Sequence, residues 1–276
     1  MTLMQAVVLG LVQGITEFLP ISSIAHLRVV PALLGWPDPG AAYSAIIQLG
    51  TLAAVFVYFA RDLRVMTRAA IQGVLDRRPL GTHEAQLAWY IMAGTLPIVV
   101  FGLGLKRYIV GPFRSLYVIS GSLILLGILL WIAERSASFN RDVDKIGWWD
   151  SQLVGLAQAL SLIPGSSRSG TTMTAAMFVG LTREAAARFS FLLGIPAIGA
   201  AGMFELLELI QHGLEGIGIT NLMVGIVTSA VSGYLAIDLL LRYLRTRTMH
   251  VFVWYRIGLG ILLLALLANG VLHPMG

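Results

Sequence analysis

Polar side chains interrupt an apolar stretch near the start of the chain, among them Gln13, Glu17, Ser22, Ser23 and His26. Hydrocarbon tolerates ionisable side chains poorly, so such a residue within an apolar segment indicates a functional site. A serine hydroxyl becomes a nucleophile when a nearby base takes its proton. Both serines lie three or four residues before the histidine, within reach of one helix face. The pattern predicts Ser23 as the nucleophile, Ser22 as its alternative and His26 as the base.

Glu17 can take several parts in such chemistry. It lies four residues after Gln13, so the two share a helix face. The carboxylate can orient His26, act as an acid or base, or hold a divalent cation with Gln13 and phosphate oxygens. A structural ion pair with Arg28 is the alternative to these functional roles.

A second polar segment, PGSSRSGTT, occupies residues 164–172. Pro164 breaks the apolar run, and Ser166 or Ser167 can cap the helix that follows. A helix N-terminus favours phosphate, and Arg168 adds a planar cation that suits oxyanions. Any one of the serines is explained equally well as a helix cap. The whole set fits phosphoryl transfer, and the residues expected to bind phosphate are Arg168, Ser166, Ser167, Ser169, Gly170 and Thr171.

Composition predicts a membrane protein that crosses the bilayer several times. Of 276 residues, 57% are hydrophobic and 12% are charged, with a mean hydropathy of +0.81, whereas soluble domains are about 25% charged. The net charge of +5 is not gathered into a basic stripe with interleaved aromatics, which argues against a nucleic-acid partner. Cysteine is absent, which excludes disulfides and thiol chemistry.

Eight apolar segments supply the elements that must position these residues. A full span needs about 20 mostly apolar residues. Six stretches meet this requirement: 42–60, 86–105, 115–133, 185–204, 217–241 and 253–272. The remaining two, residues 3–35 and 150–180, are interrupted at Pro20 and Pro164. Each is predicted to form two short helices around a polar turn, as a re-entrant hairpin.

The two halves of the chain resemble each other. GLVQGITEFLPISS begins at Gly10 and GLAQALSLIPGSS at Gly155. This indicates a single membrane domain with repeat 1 at about 1–140 and repeat 2 at about 148–276. Three full spans per half is an odd number, so the second repeat must be inverted and the hairpins should meet near the bilayer midplane. Gln13 and Gln158 occupy equivalent places, where a hydrogen bond between them is the alternative to a functional role.

Basic residues predict the orientation. Basic residues are concentrated in the loop 61–78, in the loop near residue 140 and in the last loop, residues 242–247. All three fall on one side of the predicted topology, which is therefore cytoplasmic. The exceptions on the other side are Lys106, Arg107 and Arg114. The first hairpin and both termini then open outward.

The two polar motifs resemble those of the bacterial undecaprenyl pyrophosphate phosphatases, also called bacitracin resistance proteins. The likeness extends over nearly the whole chain. It implies a hydrolase of the bacterial inner membrane that removes the terminal phosphate of a polyprenyl diphosphate lipid, undecaprenyl diphosphate, to give the carrier lipid of cell-wall synthesis. It also implies a divalent cation, Mg²⁺ or Ca²⁺, and an active site facing the periplasm. The matching residues are Gln13, Glu17, Ser22, Ser23, His26, Ser167 and Arg168.

The chain departs from the common family pattern at three positions. Many members carry glutamate where this chain has Gln13, which leaves one carboxylate for a metal. Many also read SSTGH where this chain reads SSIAH, so Ile24 and Ala25 replace a hydroxyl residue and a glycine. The oligomeric state stays open, with a homodimer as one alternative.

Two other functions compete with a hydrolase. Inverted repeats with broken helices are frequent in transporters, so the same residues could carry an anion or flip a lipid phosphate. A non-catalytic scaffold would bind a diphosphate lipid without releasing phosphate. Neither needs a nucleophile, so Ser22, Ser23 and His26 favour the enzyme.

Overall fold

The computed structural model describes residues 1–110, 112–212 and 218–274, and these residues fold into helices joined by short turns. The apolar segments found in the sequence account for the long helices, because a helix satisfies all of its backbone groups within hydrocarbon. The α-helices of the described residues are α1 Leu3–Phe18, α2 Ser23–Leu34, α3 Gly40–Tyr58, α4 Ala60–Leu75, α5 His83–Val110, α6 Leu116–Ser136, α7 Trp148–Ala159, α8 Arg168–Phe178, α9 Arg183–His212, α10 Ile219–Leu244 and α11 His250–Ala268.

These helices make the chain a multi-pass membrane protein. Within the described residues, α5, α6, α9, α10 and α11 are each long and apolar enough to span a bilayer. A sixth candidate is the pair α3 and α4, which is bent by 79°. Each of the six predicted spans overlaps one of these helices, although residue 217, the first of the fifth stretch, lies outside the described residues.

The arginine-rich segment 61–78 was expected to be a loop, and this was wrong for most of its length. It forms α4, an amphipathic helix. Met66 is buried and Leu63 packs against the core, while Arg64 and Arg68 are exposed. The charged residues lower the average hydropathy so far that the helical period of the apolar positions is easily missed.

Helices α1 and α2 are separated by a first break at residues 19–22, and α7 and α8 by a second break at residues 160–167. Two short helices around a polar turn were predicted at both places, and this is confirmed. Ser22 and Ser167 have positive φ angles of 75° and 68° and cap the following helix through Ala25 N and Gly170 N. Such backbone costs about 1–3 kcal/mol and is concentrated at functional sites.

Two helices of each half pack on one helix of the other half, and we call this arrangement the exchange pattern. Helix α1 packs on α10, and α7 packs on α5. Likewise α3 packs on α10 and α9 packs on α5, while α6 and α11 pack on each other. Gly10 and Gly155, at equivalent places in the two motifs, both lie against a neighbouring backbone: a Cβ on Gly10 would be 2.6 Å from Gly225 O, and one on Gly155 would overlap Gly94 O.

Polar contacts divide the helix ends into two sets. The first set converges on the start of α9 and joins all three basic segments. The second set contains Asp38, which pairs with Arg28 and Arg114, and Met1, whose carbonyl accepts a hydrogen bond from Asn221. The ion pairs of the first set are Arg188–Asp62, Arg183–Glu134, Arg245–Glu184 and Arg141–Asp150.

Candidate active site

An ion pair between Arg168 and Glu17 joins the two polar segments. Arg168 Nη2 lies 3.1 Å from Glu17 Oε1, although the residues are 151 positions apart in the chain. Both side chains are largely buried, with exposures of 10% and 5%. The pairing of Glu17 with Arg28, held open above, is not found, because Arg28 binds Asp38. The two segments that the sequence analysis singled out therefore form one site.

The second oxygen of Glu17 accepts hydrogen bonds from two neutral donors. Ser23 Oγ donates to Glu17 Oε2 over 2.7 Å, and Gln13 Nε2 donates to the same oxygen over 2.9 Å. A carboxylate at hydrogen-bond distance from a hydroxyl is placed to take its proton. Ser22 Oγ is instead occupied as the cap of α2. The geometry favours Ser23 over Ser22 as the nucleophile, and Glu17 as its base.

His26 is engaged away from both serine hydroxyls. Its Nδ1 lies 2.7 Å from the carbonyl oxygen of Ser22, and its Nε2 lies 2.7 Å from the hydroxyl of Tyr255 in α11. A carbonyl only accepts, so Nδ1 carries the proton and Nε2 accepts from Tyr255. The expectation that His26 is the base for a serine does not match this arrangement. The ring instead fixes the strained turn at Ser22 to α11.

Some residues of the second motif face a cavity, and others connect α8 to the first break. Arg168 Nη1 also donates to Ser190 O, which fixes the guanidinium from the side of α9. Ser169 Oγ donates to Glu17 O and Leu19 O at 3.1 and 3.0 Å. That hydroxyl therefore ties α8 to the first break. Ser166, Ser169, Gly170 and Thr171, which were also expected to bind phosphate, are buried and do not line the cavity described next, so their part in binding phosphate stays a prediction.

The cavity has a volume of about 250 Å³ and lies where α2 and α8 begin. First-turn N–H groups of a helix have no helical partner, and together with the helix dipole they attract anions. Two such helix starts and the guanidinium of Arg168 therefore border a space suited to a phosphate group. The polar residues of the two motifs that line it are Glu17, Ser22, Ser23, Ser167 and Arg168.

An apolar groove of about 420 Å³ continues from this cavity between α5 and α9. Ile98, Ala197 and Ala201 line both spaces, so they are contiguous. Beyond them the groove is bounded by residues of the same two helices, including Val99 and Phe204. The arrangement offers a polar place for a charged group and an apolar place for a chain attached to it.

Several residues of the site were missed by the sequence analysis. Arg114 and Glu205 line the cavity at some distance from the motifs. Arg256 is completely buried beneath both breaks and donates to their carbonyl groups. Its signal was present in the sequence, because it is the only Asp, Glu, Lys or Arg in the predicted span 253–272 and a charge at membrane depth indicates function.

Gln13 and Glu17 are the residues that could hold a divalent cation. Gln13 Oε1 is buried and has no hydrogen-bond partner among the described residues, and Glu17 is its neighbour. No group of three Asp, Glu, His or Cys suited to a metal occurs in the part of the chain that is described. Magnesium often takes one or two protein oxygens and completes its shell with water and substrate phosphates. The two side chains supply oxygens of that kind, but Gln13 does not line the cavity and both oxygens of Glu17 already accept hydrogen bonds. A bound ion would therefore displace at least one of these contacts. Gln158 does not bind Gln13, since its amide has no partner among the described residues.

Comparison with known proteins gives one consistent result. The model of the family described as "Bacitracin resistance protein BacA" matches residues 6–262. The chain is similar to the undecaprenyl-diphosphatase of Myxococcus xanthus, with 55% identity over 100% of this chain and 92% of the relative. It is also similar to the undecaprenyl-diphosphatases of Chloroherpeton thalassium and Chlorobium phaeovibrioides. Each is 53% identical over 99% of this chain. The alignments cover 99% of the first relative and 100% of the second.

Proposed function

The chain belongs to the bacitracin resistance protein BacA family, and we propose that it is an undecaprenyl-diphosphatase. It hydrolyses undecaprenyl diphosphate to undecaprenyl phosphate and inorganic phosphate, which recycles the carrier lipid for cell-wall synthesis. The observation that carries this proposal is the contact of Arg168 with Glu17 beside the Ser23 hydroxyl. The guanidinium of Arg168, the base Glu17 and the nucleophile Ser23 thereby meet where α2 and α8 begin.

Ser23 and Glu17 carry out the first chemical step. The diphosphate lies between the first turns of α2 and α8, with Arg168 against its oxygens. Ser23 Oγ attacks the terminal phosphorus, its proton passes to Glu17, and the bond from that phosphorus to the bridging oxygen breaks. Undecaprenyl phosphate leaves with the bridging oxygen and both electrons of that bond.

Water completes the reaction in a second step. It attacks the phosphoserine, and Glu17 returns its proton to Ser23 Oγ as the P–O bond to serine breaks. Inorganic phosphate forms, and the proton released by water passes to solvent. Arg168 acts in both steps by neutralising phosphate charge, as positioning and electrostatics dominate phosphoryl transfer.

We also propose that a divalent cation, Mg²⁺ or Ca²⁺, binds with the diphosphate. Glu17 and the free Oε1 of Gln13 would hold it. When bound, such an ion supplies positive charge to the phosphate oxygens. Because Gln13 contributes a neutral oxygen, the site offers one carboxylate and depends on the substrate for its remaining ligands.

The apolar groove between α5 and α9 receives the part of the prenyl chain next to the diphosphate. Withdrawing apolar chain from hydrocarbon into water costs about 0.8 kcal/mol per CH₂. A substrate that keeps its tail in lipid therefore has to enter laterally. The continuity of the groove with the polar cavity supports this route.

The exchange pattern of helix packing supports an inverted repeat with two re-entrant hairpins. Each contact of α1 or α3 with α10 has a counterpart of α7 or α9 with α5, and Ser22 and Ser167 share an unusual backbone conformation. The cavity includes Arg114, which belongs to the set of helix ends away from the basic segments. Under the positive-inside rule the active site of this inner-membrane protein faces the periplasm.

Release of inorganic phosphate from undecaprenyl diphosphate by purified protein in detergent tests the proposal. Arg168→Ala and Glu17→Ala should each abolish release. Arg245→Ala is a matched control, because it breaks an exposed ion pair with Glu184 on the far set of helix ends. Near-normal turnover of either site variant would contradict the site assignment.

An anion transporter or lipid flippase was the alternative left open by the sequence, and the similarity to undecaprenyl-diphosphatases does not favour it. It would have no use for the hydrogen bond from Ser23 to Glu17. Proteoliposomes separate the two functions: flux of lipid phosphate without phosphate release would favour the transporter. A scaffold would bind the diphosphate lipid, release no phosphate and need no divalent ion.

A further inference from the structure

Arg256 is a charged side chain in the core without a charged partner. It is 0% exposed and lies in the middle of α11. Among the described residues it forms no ion pair, unlike Arg168 or Arg183. Burying a cation is very costly unless polar groups replace its hydration. The groups that do so here show what this residue is for.

The guanidinium is solvated by carbonyl groups of both breaks. Nη1 donates to Pro20 O in the first break at 3.1 Å. Nη2 donates to Gly165 O and Ser166 O in the second break at 3.3 and 2.8 Å. A weaker contact of 3.4 Å joins Nε to Leu123 O of α6. One rigid side chain thus binds backbone from residues 20 and 166, which come from opposite halves of the chain.

These carbonyls need such a partner. They lie outside the α-helices, in the two breaks, and an unpaired buried carbonyl costs about 1–3 kcal/mol. Only arginine combines a permanent charge with several N–H donors in one fixed plane. A lysine could reach fewer of the three carbonyls from the same position.

We propose that Arg256 is a positioning residue of the active site, which joins the first break to the second and thereby sets the separation of Ser23 from Arg168. It acts through the backbone, since Pro20 precedes the Ser22–Ser23 turn by two residues and Ser166 precedes Arg168 by two. It does not line the cavity and does not bind phosphate in this role. The proposal rests on the hydrolase function proposed above.

Phosphate release by Arg256→Lys and Arg256→Met, expressed per folded molecule, tests this role in the full-length protein. Misplacing reacting groups by about 1 Å costs roughly 100-fold in rate, so kcat should fall by about that factor in Arg256→Met, with KM changing much less. Arg256→Lys keeps the positive charge but has fewer N–H donors than the guanidinium. Its kcat should therefore lie between that of the parent and that of Arg256→Met. Full activity of Arg256→Lys, or a kcat of Arg256→Met within twofold of the parent, would overturn the proposal.

Arg183→Met is the matched control for loss of stability. It also removes a membrane-protein arginine and leaves a buried partner, Glu134, unpaired, but it touches neither break. Its kcat per folded molecule should stay at the parental value. A purely structural Arg256 would behave in the same way, with fewer folded molecules that each work normally.

A distance measurement keeps this proposal separable from the hydrolase assignment. The chain has no cysteine, so spin labels can be placed at Leu34→Cys and Phe178→Cys, exposed positions at the ends of α2 and α8. The distribution of distances between them should shift or broaden in Arg256→Lys and stay unchanged in Arg183→Met. An unchanged distribution in both Arg256 variants would refute the joining role even if the wild type releases phosphate. A wild type that releases none would refute the function and leave the distance result valid.

Discussion

Replacing Glu17 by glutamine tests the proposed mechanism most directly. The amide has nearly the same shape as the carboxylate and can still accept a hydrogen bond from Arg168, which lies 3.1 Å from Oε1. It cannot take the proton of Ser23, whose Oγ is 2.7 Å from Oε2. The substitution therefore removes the base while it leaves the packing of α1 almost unchanged.

The structure allows the size of the effect to be worked out. Loss of a positioned general base costs about 10²–10⁴-fold in rate, which corresponds to about 2.7–5.4 kcal/mol of transition-state stabilisation. Removing one negative charge beside the phosphate site favours binding of the anionic substrate, but it also removes the one carboxylate that would hold the divalent cation, so the two effects on KM oppose each other. The expected result is therefore a fall in kcat of at least about 100-fold.

Stability should fall as well, since Arg168 keeps its charge and loses its counter-charge. Removing one partner of a buried ion pair costs about 3–5 kcal/mol. Arg168 still donates to Ser190 O and borders the cavity, so the lower end, about 3 kcal/mol, is expected. The double variant Glu17→Gln with Arg168→Gln should recover part of this loss, because no buried charge is then left alone.

The assay is phosphate release from undecaprenyl diphosphate at saturating substrate, with thermal unfolding followed in the same detergent. Glu184→Gln is the control, because it makes the same chemical change in an exposed ion pair with Arg245. It should leave kcat unaltered. If Glu17→Gln keeps a kcat within threefold of the wild type, Glu17 is not the base and the reasoning from the Ser23 hydrogen bond fails.

Three further results are expected. Gly194→Ala should lower kcat by about 10–100-fold, because its Cβ would overlap Nη1 of Arg168, whereas Gly199→Ala on the same helix meets only Leu52 Cδ2 at 3.7 Å and should stay active; phosphate release compares the two. A chelator should abolish phosphate release and added Mg²⁺ or Ca²⁺ should restore it, with no change in helix content by circular dichroism; full activity after exhaustive chelation would exclude the cation. Gly155→Ala should destabilise the protein by about 1–3 kcal/mol, since its Cβ would overlap Gly94 O, and thermal unfolding measures the loss.

The sequence was sufficient for the site wherever local chemistry and the repeat decided the outcome. Pro20 and Pro164 lie in the two breaks together with polar residues, whereas Pro31, Pro97 and Pro196 lie inside helices. It was therefore the combination of proline with polar residues that predicted the breaks, and the similarity of the two motifs that predicted their meeting. The contact of Arg168 with Glu17 could therefore be anticipated across 151 positions. No comparable pattern connects His26 to Tyr255, which lie 229 positions apart. Their pairing depends on how α11 rotates about its axis, which is set by packing.

A helix break within an apolar segment creates two sets of unpaired backbone groups with opposite polarity, and the protein treats them differently. Arg256 donates hydrogen bonds to carbonyl groups of both breaks. The N-terminal turns of α2 and α8 border the cavity instead, where their N–H groups can bind a phosphate. Arg256 thus places a permanent charge on the carbonyl side, whereas the charge of Arg168 on the N–H side is paired with Glu17. The N–H side keeps its capacity for an anion that must enter, react and leave.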